Sequence, residues 1–169
     1  RLGFSPQKTM QIAQQLYEGV DVGSGTVGLI TYLRTDSTRI AEEAHEAAVQ
    51  MVAEQYGQEY VGQVKTASGG RRIQDAHEAI RPTYVQYTPA KIQESLSRDQ
   101  MRLYKLIYER FIASRMSAAV YDTLQIVLEK EGFEFTSSGS KLVFPGFLQV
   151  YKEQEEEQEK FETIEGLEA

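Results

Sequence analysis

Two neighbouring stretches, Met101-Arg102-Leu103-Tyr104-Lys105-Leu106-Ile107-Tyr108-Glu109-Arg110-Phe111-Ile112 and Val120-Tyr121-Asp122-Thr123-Leu124-Gln125-Ile126-Val127-Leu128, decide the fold class because their hydrophobic periods differ. In the first, Met101, Tyr104, Ile107, Tyr108, Phe111 and Ile112 recur at helical spacing and form one continuous stripe. Ser97 with Gln100 resembles a capping box, so a long helix is predicted from there to about Met116. In the second, Val120, Leu124, Ile126 and Leu128 alternate with Tyr121, Thr123 and Gln125, the period of a strand. A helical unit therefore hands over to a sheet near Ala118, and the chain reads as α+β.

Downstream, Glu131-Gly132 and Ser138-Gly139-Ser140 read as turns, Phe133–Phe135 as a strand, and Leu142–Tyr151 as another strand bent at Pro145-Gly146. About three strands make a sheet too small to be secure alone, so pairing with strands elsewhere in a longer chain is expected. The Glu-rich stretch from Glu153 reads as a solvated linker. Upstream, Ser5-Pro6 opens a helix to about Tyr17, with Met10, Ile12, Ala13 and Leu16 as apolar positions and Gly19 as the stop. The flexible Asp21–Gly25 leads into Val27–Leu33, which reads as a short buried strand. A second amphipathic helix is predicted over about Ile40–Tyr56, stopped by Gly57, and residues 62–75 read as a polar loop.

The 169 residues, 41% of them hydrophobic, suffice for a core and fit one domain or two small ones. No apolar run approaches the roughly 20 residues that cross a bilayer, and the absence of a leader after Arg1 suggests a soluble internal piece of a longer chain. Cysteine is absent, which removes disulfides and thiolate metal sites and agrees with a reducing, cytoplasmic setting. The net charge of −7 argues at first against a nucleic-acid partner. Residues 151–169 carry eight of the acidic and two of the basic groups, however, leaving 17 acidic and 16 basic groups in residues 1–150. A nearly neutral body can present a local basic site, although tight DNA binding would need additional sequence.

Tyr32, taken alone, reads as packing, one of ten tyrosines. Arg34 lies two residues on, so in a strand both side chains project to one face. That pairing suits phosphoryl transfer: a phenol oxygen can form a phosphodiester, and a guanidinium offers a planar fork of donors to the charge on the phosphate oxygens. A phenol ordinarily keeps its proton at neutral pH, so such a site must also remove it as the bond forms. Gln74-Asp75-Ala76-His77-Glu78-Ala79-Ile80-Arg81-Pro82-Thr83 is a second cluster of His, acids and Arg, which residue types alone would equally allow as a segment held by its own salt bridges. His45, among Glu42, Glu43 and Glu46, reads as a solvated helix face.

Gly28-Leu29-Ile30-Thr31-Tyr32-Leu33-Arg34-Thr35-Asp36-Ser37-Thr38 resembles the active-site signature of the type IA DNA topoisomerases, and Ala76-His77-Glu78-Ala79-Ile80-Arg81-Pro82-Thr83 resembles their second block. Leu2-Gly3-Phe4-Ser5 and Phe144-Pro145-Gly146-Phe147 extend the likeness over residues 1–151. Leu33, Glu78 and Arg81 are more similar to the bacterial topoisomerase I branch than to topoisomerase III. The resemblance implies a nucleophilic Tyr32, with Arg34 positioning the scissile phosphate and His77 assisting through hydrogen bonds to the phosphate or to Asp36. Thr35, Asp36, Ser37, Glu78 and Arg81 are then supporting or DNA-binding residues. It also implies cleavage of one strand through a 5′-phosphotyrosine, strand passage and religation without ATP, on single-stranded and negatively supercoiled DNA.

In domain terms the resemblance implies a mainly helical, winged-helix-like tyrosine domain over residues 1–118, a β segment of the arch domain over 119–151, and an acidic linker over 152–169. Family members bind Mg²⁺ through an acidic Toprim domain, for which this chain has no counterpart. Magnesium is therefore expected outside it, with no metal ligands within it, the Toprim and remaining domains of the parent chain being its partners. The chain alone is expected to be inactive. Two other readings remain: a non-catalytic DNA-binding module in which Tyr32 and Arg34 only touch the backbone, and a protein-interaction domain whose stripe from Tyr104 to Phe111 is a partner groove.

Overall fold

In the computed structural model, which describes residues 2–63 and 77–152, the chain is an α+β protein built as two compact units divided between Ser117 and Ala118. In the first unit, Ser5 accepts a hydrogen bond from the Lys8 amide at 3.2 Å and starts α1 (Pro6–Glu18), with Pro6 at its head, where a free amide would lack a partner. Gly19, at φ 127°, ends it in a conformation that side-chain-bearing residues rarely adopt. A ribbon of β1 (Val20–Asp21) and β2 (Thr26–Val27) follows, paired antiparallel with Val20 opposite Val27. Next comes α2 (Glu42–Tyr56), which turns Ala48 and Val52 inward and stops at Gly57.

The helix α3 (Arg98–Ala113) carries the expected capping box in full: Ser97 accepts from the Gln100 amide at 3.3 Å, and the Gln100 side chain accepts from the Ser97 amide at 2.9 Å. Lys8 of α1 meets Asp99 at 2.6 Å and holds its carboxyl below the ordinary carboxylate range. Leu103, Tyr104, Tyr108, Phe111 and Ile112 of α3 are buried with Leu16, Leu29, Ile30 and Val52. The aromatic stripe is therefore core, which removes the reading of it as a partner groove.

Two α3 phenols do more than fill volume. Tyr104 donates to the Tyr87 carbonyl at 2.7 Å and Tyr108 to the Val85 carbonyl at 2.6 Å, pinning the turn over residues 84–87 from beneath. Burial pushes Tyr108 up to about 12 and raises Tyr104 as well. The fold thus favours the protonated phenols. The stability this provides is complete below the free phenol value near 10 and is lost as pH rises through the folded value. Alkaline titration is expected to show a late tyrosine class that ionises between about pH 10 and 12 together with loss of helical circular dichroism. Ionisation of all ten tyrosines in one transition with helix content unchanged would contradict the arrangement.

Three expectations about strands and turns need correction. The strand over Val27–Leu33 is not regular: β2 ends at Val27, and beyond it only an isolated antiparallel bridge joins Ile30 to Pro82. Its amides and carbonyls are shared between two neighbours, the end of α1 and residues 81–83, so no ladder propagates. In the second unit, the expected turn at Ser138-Gly139-Ser140 is absent. Here β3 (Val120–Lys130) and β4 (Phe133–Phe144) form one long hairpin in which Gly139 pairs with Leu124 and Ser138 with Gln125. Cross-strand pairing has overridden local turn propensity. The strand expected over Leu142–Tyr151 is real only as far as Phe144, where it is the end of β4; beyond Pro145, which cannot donate to a ladder, the chain forms a 3₁₀ turn over Gly146–Gln149. The turn at Glu131-Gly132 is present, with φ of 54° and 80°; two positive φ values in a two-residue loop match the right-handed strand twist.

His45 is half-buried, with its Nδ1 sealed without a partner among the described residues, so its side chain is not solvated, although Glu42, Glu43 and Glu46 around it are exposed. Most of the polar loop over 62–75, residues 74–76 of the second motif and the acidic linker from residue 153 lie outside the described residues. No described helix is long and apolar enough to cross a membrane.

Candidate active site

Leu29, Ile30 and Thr31 hold the tyrosine segment from both sides. The Leu29 amide donates to the Leu16 carbonyl of α1 at 2.8 Å, the Thr31 amide to the Arg81 carbonyl at 2.9 Å, and the Thr83 amide to the Leu29 carbonyl at 3.0 Å. The Thr31 hydroxyl donates to the Ala79 carbonyl at 2.8 Å and accepts from the Arg81 amide at 3.0 Å. With Leu29 and Ile30 buried, the backbone leading to Tyr32 has little freedom. Gly28 lets this segment approach α1, since a Cβ there would lie 2.7 Å from the Tyr17 carbonyl oxygen.

Tyr32 follows this anchor and is 56% exposed, its ring edge-on to Tyr17 at a centroid distance of 5.4 Å. It borders a cleft of about 200 Å³ together with Thr31, Arg34, His77 and Glu78. The two quoted motifs, more than forty residues apart in sequence, therefore converge on one concave site. Arg34 Nε lies 2.6 Å from Asp36, and Arg34 Nη1 lies 3.4 Å from Nε2 of His77. His77 Nδ1 is 3.9 Å from the same Asp36 oxygen. Asp36 thus orients Arg34 beside His77. Both side chains of the Arg34–Asp36 pair are roughly half exposed, and such a pair is weak enough for a phosphate to displace the carboxylate.

Glu78 and Arg81 play a different part. Arg81 is buried, and its Nε and Nη2 reach Glu78 at 3.0 and 2.6 Å while Nη1 donates to the Pro82 and Thr83 carbonyls at 3.0 and 3.4 Å. Its donors are turned into the protein, so it supports the site and is not free to meet DNA. Thr35 borders a neighbouring apolar cleft with Leu33, Leu103 and Phe111 instead of the Tyr32 cleft. The Ser37 hydroxyl accepts from the Arg39 amide at 3.2 Å, a local turn.

Residue patterns did not single out Thr31 or Arg39. Arg39 places Nη2 3.6 Å from Glu78 and accepts the Ala79 amide through its carbonyl at 2.8 Å, linking the two motifs. Only Thr31 carried a readable signal, its position beside Tyr32 within the first quoted motif. Among the described residues no three of His, Cys, Asp and Glu are grouped to hold a metal ion.

A profile of the DNA topoisomerase family matches residues 1–168. Among solved structures, full-length topoisomerase I from Thermotoga maritima in a monoclinic crystal form is similar at 43% identity with a TM-score of 0.78. The match covers 92% of this chain and 25% of that one, so the chain spans a quarter of that protein's length.

Proposed function

Because this chain belongs to the bacterial type IA DNA topoisomerase family, we propose that it contributes the nucleophilic tyrosine to a larger enzyme that cuts and reseals one strand of DNA. The observation that carries this reading is the exposed Tyr32 on a rigid backbone, sharing a cleft with Arg34 and His77.

In the proposed reaction the Tyr32 oxygen attacks a backbone phosphorus. A tyrosyl P–O bond forms, the bond from phosphorus to the 3′ oxygen breaks, and the phenol gives up its proton while the departing 3′ oxygen gains one. The 5′ end is left on Tyr32. Religation runs the same step backwards, so the phosphodiester energy is retained and ATP is not required. Arg34 leaves Asp36 for the phosphate oxygens and offsets charge as it builds in the transition state. His77 keeps the guanidinium in place and offers a hydrogen bond to the phosphate, and Asp36 orients both groups until the phosphate arrives. Thr35 and Ser37 shape the loop that carries these groups, while Glu78 and Arg81 hold its floor.

Single-stranded and negatively supercoiled DNA are the proposed substrates, with relaxation as the net outcome. Magnesium belongs to this proposal as a cofactor held by other domains of the longer chain. A cytoplasmic setting, with access to chromosomal DNA, completes it. The chain alone is expected to leave a supercoiled plasmid unrelaxed, because a near-neutral body and one half-site do not hold and pass a strand; relaxation by the isolated 169 residues would contradict this.

The test is Arg34→Ala in the full-length enzyme, read by rapid-quench cleavage of a labelled oligonucleotide. Cleavage is expected to slow by about 10²–10³-fold with the cut position unchanged. A wild-type rate would remove Arg34 from the chemistry.

A further inference from the structure

A second groove, of about 580 Å³, opens beside the Tyr32 cleft, and the two share Thr31 as a common wall. Tyr17, Tyr84 and Tyr87 line it together with Thr26, Thr83 and Gln86, and none of its lining residues is charged. Tyr17 forms the partition, since its ring also meets the edge of Tyr32. Tyr84 is half exposed and packs edge-on to Tyr87 at 6.0 Å. The turn that presents these two rings is the one pinned by the Tyr104 and Tyr108 hydroxyls, so the platform exists before any ligand arrives. Gly28, which also lines the groove, leaves room beside the Tyr17 backbone, since a Cβ there would lie 2.7 Å from the Tyr17 carbonyl oxygen.

We propose that this groove is a nucleobase site, in which a base of the single strand next to the phosphate attacked by Tyr32 stacks on Tyr84 and is bounded by Tyr17 and Tyr87. The inference deepens the reaction proposed above and rests on it for the identity of the strand. The chemistry of the lining selects the occupant. A groove without a cationic side chain has no charge to offer a phosphate, whereas Arg34, one wall away, has. Aromatic faces accept any base by stacking, and the hydroxyls and the Gln86 amide at the rim can hydrogen-bond to base edges. The backbone phosphate and its adjoining base would thus be divided between two connected pockets, so that holding the base sets which phosphate meets the tyrosine.

The experiment uses full-length enzyme and single-stranded oligonucleotides with 2-aminopurine walked through successive positions around the cut. Stacking quenches this base. The expected result is quenching confined to one or two adjacent positions, preserved in Tyr84→Phe and lost in Tyr84→Ala, with affinity in the alanine variant lower by roughly 10–100-fold. An abasic nucleotide at the quenched position is expected to weaken wild-type binding similarly and to have little further effect in Tyr84→Ala. Position-specific quenching that Tyr84→Ala leaves untouched, or no position-specific quenching in the wild type, overturns the assignment of the groove. A wild-type enzyme that quenches at one position, loses this in Tyr84→Ala, and yet forms no adduct at Tyr32 supports the groove while contradicting the reaction, so the two failures are separable.

Discussion

Tyr32→Phe is expected to abolish covalent capture of DNA and to lower strand cleavage by on the order of 10⁴-fold or more, while the protein folds as before. The substitution removes one oxygen from a ring that is 56% exposed, and no described hydrogen bond uses that hydroxyl. Its edge contact with Tyr17 needs only the ring, which the substitution retains. Stability is therefore expected to stay within about 0.5 kcal/mol of the parent. Loss of cleavage without loss of binding separates an enzyme from the DNA-binding module that residues 32 and 34 alone would allow. A Tyr32→Phe enzyme that still cleaves would mean that another group attacks, and retained melting temperature excludes unfolding as the explanation.

Glu78→Gln is expected to produce the largest loss of stability, about 2–3 kcal/mol, and to lower the melting temperature of the helical unit by roughly 10 °C. Arg81 would be left with its charge in the interior and only the Pro82 and Thr83 carbonyls as full partners. Breaking one side of a buried pair commonly costs about 3–5 kcal/mol, and the partial exposure of Glu78 together with these two carbonyls moderates that figure. The effect should reach Tyr32, because Thr31 is hydrogen-bonded to the Arg81 backbone on both its amide and its hydroxyl. Replacing both partners by apolar residues, Glu78→Leu with Arg81→Met, is expected to recover much of the stability, since the uncompensated charge is gone. Thermal denaturation followed by circular dichroism measures each variant. A Glu78→Gln protein as stable as the parent would place the Arg81 guanidinium in water instead of in the floor of the site.

Sequence patterns carried the helical unit well because its signals are local. The Ser5-Pro6 start, the Ser97/Gln100 box and the glycine stops at Gly19 and Gly57 each act within a few residues, and the structure uses all of them. The β signals were read less well because pairing is non-local. Ser138-Gly139-Ser140 has turn-forming residues, but eleven register pairs along β3 and β4 hold it extended. Val27–Leu33 has strand-forming residues, but its partners are a helix end and a short motif, so it is anchored at individual bonds and forms only a bridge.

The candidate site divides along the same line. Tyr32 and Arg34 stood out because their chemistry is compact in sequence and one quoted motif contains both. That His77 joins them follows from a contact across more than forty residues, which spacing could not reveal. Residue types left Arg81 open between supporting the site through a salt bridge within its own segment and meeting DNA, and its donors face Glu78 and two carbonyls. Tyr17, Tyr84 and Tyr87 carried no readable signal at all, being three of ten tyrosines that the fold gathers around one groove.

The most direct test of the central claim is to mix full-length enzyme with a labelled single-stranded oligonucleotide, denature rapidly, digest, and map the DNA-linked peptide by mass spectrometry. The account predicts a single adduct, a 5′-phosphoryl group esterified to the Tyr32 oxygen. No adduct, or one on any of the other nine tyrosines, would contradict it.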